Sequence, residues 1–283
     1  MDTWVLITIG AAFAQSLRFM LQKQLTIAGL STAGATFARF VFTAPAVIII
    51  AFGYMNLTDQ PFPNAPTQFW VYGMIGATSQ ILATMCVMAL FQYRHFAVGI
   101  TFKKTEVLLS VLIGFVILGD TVTPLALFAI VVGAISVILL SDPLEVKGSF
   151  YDMFANRAVM LGLSSGVLFG LSGVSYRGAS LSLFEGDAFY RAMFTMAFVV
   201  AFQLITMALW LAWREKGEIK RVFGAWRIVA LVGATSMIGT MCWFTAFTLQ
   251  SAGYVNAVGQ IELIFSLVYP INAFETDWYV LLS

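Results

Sequence analysis

With 60% hydrophobic and only 10% charged residues among 283, and a mean hydropathy of +0.90, the chain lacks the polar surface of a water-soluble domain, which carries roughly 25% charged residues. A net charge of +1 excludes the strong basic or acidic balance of a nucleic-acid partner or of a surface for acidic substrates. Cys86 and Cys242 each lie inside an apolar run, a setting for packed small hydrophobes and not for a metal site or a disulfide framework.

The N-terminus, Met1-Asp2-Thr3-Trp4, has no basic region before its apolar stretch, so it reads as the start of a first span and not as a removable signal. Nine apolar runs follow in chain order: Trp4–Met20, Thr36–Tyr54, Trp70–Phe91, Phe96–Leu118, Pro124–Leu140, Val159–Val174, Ala188–Trp210, Ile228–Leu249 and Tyr254–Phe274. Each approaches the ~20 residues a helix needs to cross the bilayer core. Long unbroken apolar runs predict helices and not alternating strands. Trp4, Trp70, Trp210, Trp213 and Trp226 stand at run ends, where an aromatic belt meets the headgroups. Asp59-Gln60-Pro61, Gly119-Asp120 and Ser141-Asp142-Pro143 supply turns between runs.

The sequence repeats itself. Gly76-Ala77-Thr78-Ser79 returns as Gly233-Ala234-Thr235-Ser236, and Thr84-Met85-Cys86 as Thr240-Met241-Cys242. Glu106 with Ser110 matches Glu262 with Ser266, and Arg39 with Phe42-Thr43 matches Arg191 with Phe194-Thr195. These ordered matches predict two repeats, residues 1–142 with five spans and residues 154–283 with four spans and a stub. An odd number of spans per repeat inverts the second copy, an architecture that places a carrier's site near midplane between the halves. Only eight residues follow Glu275, too few for a span, so the second repeat is expected to lack its last helix. The fold class expected is all-α: a polytopic transmembrane bundle of two inverted five-helix repeats, the second incomplete.

Lys23, Arg94, Lys147, Arg157, Arg214, Lys216, Lys220, Arg221 and Arg227 fall in connections on one side, against Arg177 alone on the other. The positive-inside rule makes the crowded side cytoplasmic and places Met1 outside.

Arg18, Arg39, Lys103, Lys104 and Arg191, with Glu106 and Glu262, fall within spans. A charge at the bilayer centre costs at least ~2.5–3.5 kcal/mol, so each needs a compensating role. For the arginines, snorkelling to headgroups competes with substrate contact. Gly99, Lys103, Glu106, Ser110 and Gly114 share one helical face by spacing, and Lys103 can pair with Glu106 at i,i+3. Val255, Gly259, Glu262 and Ser266 repeat the face, but there Gly259 and Gln260 replace the two lysines. Glu262 must then find a distant cation, take a proton or contact a ligand. Gln15, Gln80, Gln203, Asn256 and Gln260 are neutral polar candidates that also serve as interhelical hydrogen bonds. His95 has no second histidine nearby, so no metal is expected; no cofactor is expected, and catalytic signatures are absent.

Two tandem halves, Lys104-Thr105-Glu106 followed by Leu118-Gly119-Asp120, and Gly259-Gln260-Ile261-Glu262 resemble the drug/metabolite transporter superfamily, specifically its EamA-type ten-helix carriers. The resemblance covers nearly the whole chain. It departs at Gly119-Asp120, where the family has Gly-Glu, and at the missing last helix. It implies a bacterial-type inner-membrane protein that exports amino acids or related metabolites by alternating access, with both termini inside; the charge census puts Met1 outside and is kept. The first span offers Gln15 and Arg18 in place of the acid that the family's four-helix multidrug pumps carry there, which argues against their proton-for-cation exchange.

The expected function is therefore a carrier, and not an enzyme, for a small carboxylate-bearing metabolite, with a proton or ion as a possible coupling partner. Glu106, Glu262, Lys103, Lys104, Ser110, Gln260, Arg39 and Arg191 are its candidate substrate or coupling residues. The competing reading is a non-transporting scaffold or receptor in which these charges only hold helices together.

Overall fold

Backbone groups in lipid have no water to bond, so each apolar run closes its own hydrogen bonds as a helix. The computed structural model describes residues 2–93, 96–140 and 156–268, without the side chains of 96–98, 134, 137–140 and 266–268, and it is helical throughout with short connections. In order the helices are α1 (Thr3–Ile27), α2 (Thr32–Val41), α3 (Thr43–Leu57), α4 (Thr67–Leu90), α5 (Phe96–Lys103), α6 (Glu106–Leu118), α7 (Pro124–Leu140), α8 (Arg157–Leu181), α9 (Ala188–Arg214), α10 (Glu218–Gly224), α11 (Trp226–Leu249), α12 (Ala252–Gly259) and α13 (Glu262–Val268). Among the described residues, six stretches are long and apolar enough to cross a bilayer: α1, α2 with α3, α4, α8, α9 and α11. Side chains such as Ile49, Val116 and Leu209 point outwards exposed, as a lipid-facing surface requires.

Three of the nine expected runs are not single helices. The second breaks at Phe42, where Pro45 cannot donate to the carbonyl four residues back. The Thr43 hydroxyl bridges the break by donating to Arg39 O at 2.7 Å and Gly233 O at 2.9 Å. The fourth run breaks after Lys103 and the ninth after Gly259, with no proline at either place. At the first break Lys104 N bonds Thr101 O, Thr105 N bonds Phe102 O and Val107 N bonds Lys104 O, all tightened i→i+3 bonds. At the second, Gln260 N, Ile261 N and Leu263 N make the same three bonds to Ala257, Val258 and Gln260. Lys104 to Gln260 and Glu106 to Glu262 are each 156 residues apart, so the backbone irregularity itself recurs at the spacing of the sequence matches.

Packing follows the same correspondence. The most extensive contact joins α4 to α8, and next comes α1 with α11; these are the same pair of spans with the halves exchanged. α5 and α6 pack on α8 as α12 and α13 pack on α1, while α9 crosses both α2 and α3. The core therefore lies between the two halves, with buried residues such as Phe40, Val87, Met207 and Val229 from both.

A glycine ladder sets how closely they approach. A Cβ at Gly162 would lie 2.2 Å from Gly99 O, one at Gly166 2.9 Å from Lys103 O, and one at Gly170 3.3 Å from Glu106 O. Spaced by four, these glycines form a groove on α8 that admits the α5–α6 backbone across its break. The face expected from Gly99 to Ser110 is thus real as a packing surface, although the helix carrying it is discontinuous.

The loops sort to two ends. Tyr190 Oη donates to Pro61 O, and Tyr254 Oη accepts from Thr123 N at 3.0 Å, tying connections at the end where α1 begins, here the upper end. Gln92 Nε2 donates to Thr32 Oγ1 at 3.2 Å at the lower end. Residues 94–95, 141–155 and 269–283 fall outside the described residues, and with them His95, most of the expected repeat boundary and the expected missing last helix.

Candidate functional site

The two helix breaks meet at the middle of the bundle. Lys103, the last residue of α5, points its Nζ to Glu106 Oε1 at 3.4 Å across the first break, as the i,i+3 spacing predicted. Lys104 turns the other way and places its Nζ 3.5 Å from Glu262 Oε2 at the head of α13. Glu262 also accepts from Gln15 Nε2 at 2.8 Å, and Gln15 Oε1 accepts from Arg18 Nη2 at 3.5 Å. Of the three fates open to Glu262, the structure shows the distant cation: its partner sits 158 residues earlier, in the other half. Three residues to either side of Glu262 stand Gly259 and Phe265, so local spacing offers it no cation.

Both acids open a half-helix, where negative charge also meets the positive end of the helix dipole. One turn above Glu106 the Ser110 hydroxyl donates to Glu106 O at 2.6 Å and accepts from Asn256 Nδ2 at 2.6 Å, joining α6 to α12. Gln260 is held by its own helix, donating to Asn256 O at 3.3 Å.

The arginines need correction. Arg18 and Arg39 are each only 3% exposed, so neither snorkels to headgroups. Arg39 instead donates to Thr240 Oγ1 at 3.0 Å and Thr84 Oγ1 at 3.5 Å. Those two threonines are equivalent in the sequence repeat, and the guanidinium bonds hydroxyls and not a carboxylate. Arg191 is separate: it sits half-buried near the upper end, donating to Leu183 O at 3.5 Å. The structure thus gathers Lys103, Lys104, Glu106, Glu262 and Ser110, sets Arg39 and Gln260 beside them, and leaves Arg191 apart.

A cavity of about 40 Å³ opens at this cluster, lined by Gln15, Lys103, Glu106, Tyr176, Trp243 and Asn256 among others. That holds one or a few waters and is too small for a metabolite. Trp243 Nε1 is buried with no hydrogen-bond partner among the described residues, a donor on the cavity wall that composition could not single out. Tyr176 stacks on Phe244 at 4.2 Å, and its hydroxyl joins Gln80 and Gln203 in a network at 3.0 to 3.4 Å.

Polar clasps join the halves at both ends. At the upper end Arg177 Nε donates to Asp120 Oδ2 at 2.9 Å and Nη2 to Oδ1 at 3.3 Å, while Nη1 donates to Phe247 O at 2.8 Å. One side chain thereby ties α8, the end of α11 and the α6–α7 turn. At the lower end Ser31 N donates to Glu218 Oε1 at 2.6 Å, the Ser31 hydroxyl donates to Glu215, and Arg221 reaches both Glu218 and Gly29 O. Gly34 leaves room for the Glu218 carboxylate against the start of α2, a favourable place for negative charge. Arg177 and Arg221 are thus bonded within the protein and are more than loop cations.

Residues 2–142 match the family described as the EamA-like transporter family. The chain belongs to that family. The EamA-like family is one of membrane transporters and not of enzymes, and the chain is accordingly a multi-pass membrane protein of the drug/metabolite transporter superfamily whose membership points to small solutes. No curated protein matches the chain. A solved crystal structure superposes on this EamA-like chain with a TM-score of 0.66 at 14% identity, covering 96% of this chain and 88% of the other. At that identity the likeness concerns the fold alone.

Proposed function

We propose that the protein is a secondary carrier that moves a carboxylate-bearing small metabolite, an amino acid or a related compound, by alternating access, with export as the direction the family resemblance favours. The carrying observation is the central cavity between the halves, lined by Lys103 and Glu106 among others, with Arg18, Arg39, Lys104 and Glu262 in the buried cluster around it. Arg18, Arg39, Lys103 and Lys104 outnumber Glu106 and Glu262 by two, and in a low-dielectric interior that excess favours an anionic group on the substrate. Lys104 Nζ makes no hydrogen bond among the described residues, its ion pair with Glu262 being long; an incoming carboxylate would compete for it.

The division into repeats 1–142 and 154–283 is part of this reading. It is supported by the paired helix breaks and by the exchanged packing of α4 on α8 and α1 on α11. Both clasps are made in this structure, and alternating access asks that one end's bonds break while the other's hold. The Lys and Arg excess at the lower end supports a cytoplasmic lower end, Met1 outside, in an inner membrane of bacterial type.

The competing reading, a scaffold held by buried ion pairs, draws on one observation: both acids are already paired. Counterflow in proteoliposomes across a panel of amino and organic acids separates the two. The carrier reading expects saturable exchange of at least one carboxylate compound, reduced about tenfold or more by Glu106→Gln with the variant still folded. No exchange of any compound, with Glu106→Gln losing thermal stability, would favour the scaffold.

A further inference from the structure

Apart from the cavity, the lower end carries an outward surface beside the Glu218 clasp. It is built by residues 213–227: the end of α9, the short helix α10 and the start of α11. Its charges are sorted. Glu218 is 5% exposed and Val222 fully buried, four residues apart on the face that meets the other half, and Glu215 turns to Ser31. Both acids are thus spent inside the protein, and Arg221 is spent on Glu218 and Gly29.

The outward face keeps Arg214, Lys216 and Lys220, all exposed, and no bond to the described residues is made by Lys216 or Lys220. The same segment exposes Trp213, Phe223 and Trp226, each by more than half, with the Arg214 guanidinium 5.0 Å from the Trp213 ring. Exposed indole rings at the ends of spanning helices sit at headgroup depth. A cation row at the same depth, stripped of its neighbouring acids, is electrostatically complementary to anionic headgroups.

We propose that this face docks acidic phospholipid, with Trp213, Phe223 and Trp226 in the interfacial layer and Arg214, Lys216 and Lys220 on the headgroup phosphates. The docked lipid holds α10 in the position from which Glu218 caps α2, so lipid binding and closure of the lower end are coupled. The proposal does not depend on which solute the cavity takes.

The test is thermal unfolding of the purified protein in detergent micelles, titrated with phosphatidylglycerol, with phosphatidylcholine of the same chains, or with inorganic phosphate. Phosphatidylglycerol is expected to raise the midpoint, to lose that effect in high salt, and to need about tenfold or more lipid for half its effect in the Arg214→Gln/Lys216→Gln/Lys220→Gln variant. These side chains are exposed, so the variant should keep the wild-type midpoint without lipid. Equal stabilisation by phosphatidylcholine, equal stabilisation by inorganic phosphate, or an undiminished response of the variant would overturn it.

Discussion

Lys104 and Glu262 come from different halves, are buried with 4% and 14% of their side chains exposed, and meet at 3.5 Å. Removing one partner of a buried pair leaves the other uncompensated, at a cost of about 3–5 kcal/mol, whereas replacing both by apolar side chains can be neutral. Glu262→Gln is therefore expected to lower stability by about 3 kcal/mol in detergent unfolding, less whatever the Gln15 bond retains. Lys104→Met/Glu262→Met is expected to recover most of that stability while transport stays lost. A double variant that exchanges substrate at the wild-type rate would make the pair a brace only. The Lys103–Glu106 pair was legible because one helix turn separates them; the Lys104–Glu262 pair was not, because packing between halves brings it together. The burial of Arg18 and Arg39 escaped the sequence for the same reason: which side of an apolar helix faces protein is decided by its neighbours.

Helices were read from apolar run lengths, and every described run is helical, because a long unbroken apolar run closes its backbone bonds in lipid as a helix, whereas a barrel strand alternates. The breaks in the fourth and ninth runs were not legible, since neither contains a proline at the break and the local residues suit a continuous helix. The short helix α10 was also missed: its seven residues, Glu218–Gly224, read as a charged connection. Gly162, Gly166 and Gly170 were visible in the sequence, but their use as a groove for the α5–α6 backbone appears only in the packing. Adding a methyl at Gly162 is expected to force α5 from α8 and to cost about 1–3 kcal/mol or more. Gly224 has open space at the corresponding atom, so Gly224→Ala is expected to change stability by less than about 0.5 kcal/mol. Unfolding in detergent compares the two directly; equal effects would refute the close-approach account.

At the scale of the molecule, the expected duplication rests on repeated tetrads and triads, and the helix breaks and span contacts fall at the same spacing. The clasps were not legible, because Asp120 with Arg177 and Ser31 with Glu218 are far apart in the chain. They make opposite predictions for opposite ends. Arg177→Gln frees the α6–α7 turn and the end of α11 and should favour opening at the upper end; Glu218→Gln frees the start of α2 and should favour opening at the lower.

The most direct measurement uses Ser172, which lines the cavity and bonds only within its own helix. Ser172→Cys, in a background with Cys86 and Cys242 replaced by serine, is reacted with a membrane-impermeant maleimide from each side of oriented vesicles. A rocking carrier predicts labelling from the upper side that rises with Arg177→Gln, labelling from the lower side that rises with Glu218→Gln, and protection by a transported solute. A thiol at position 172 that stays unreactive from both sides in all three proteins would contradict it.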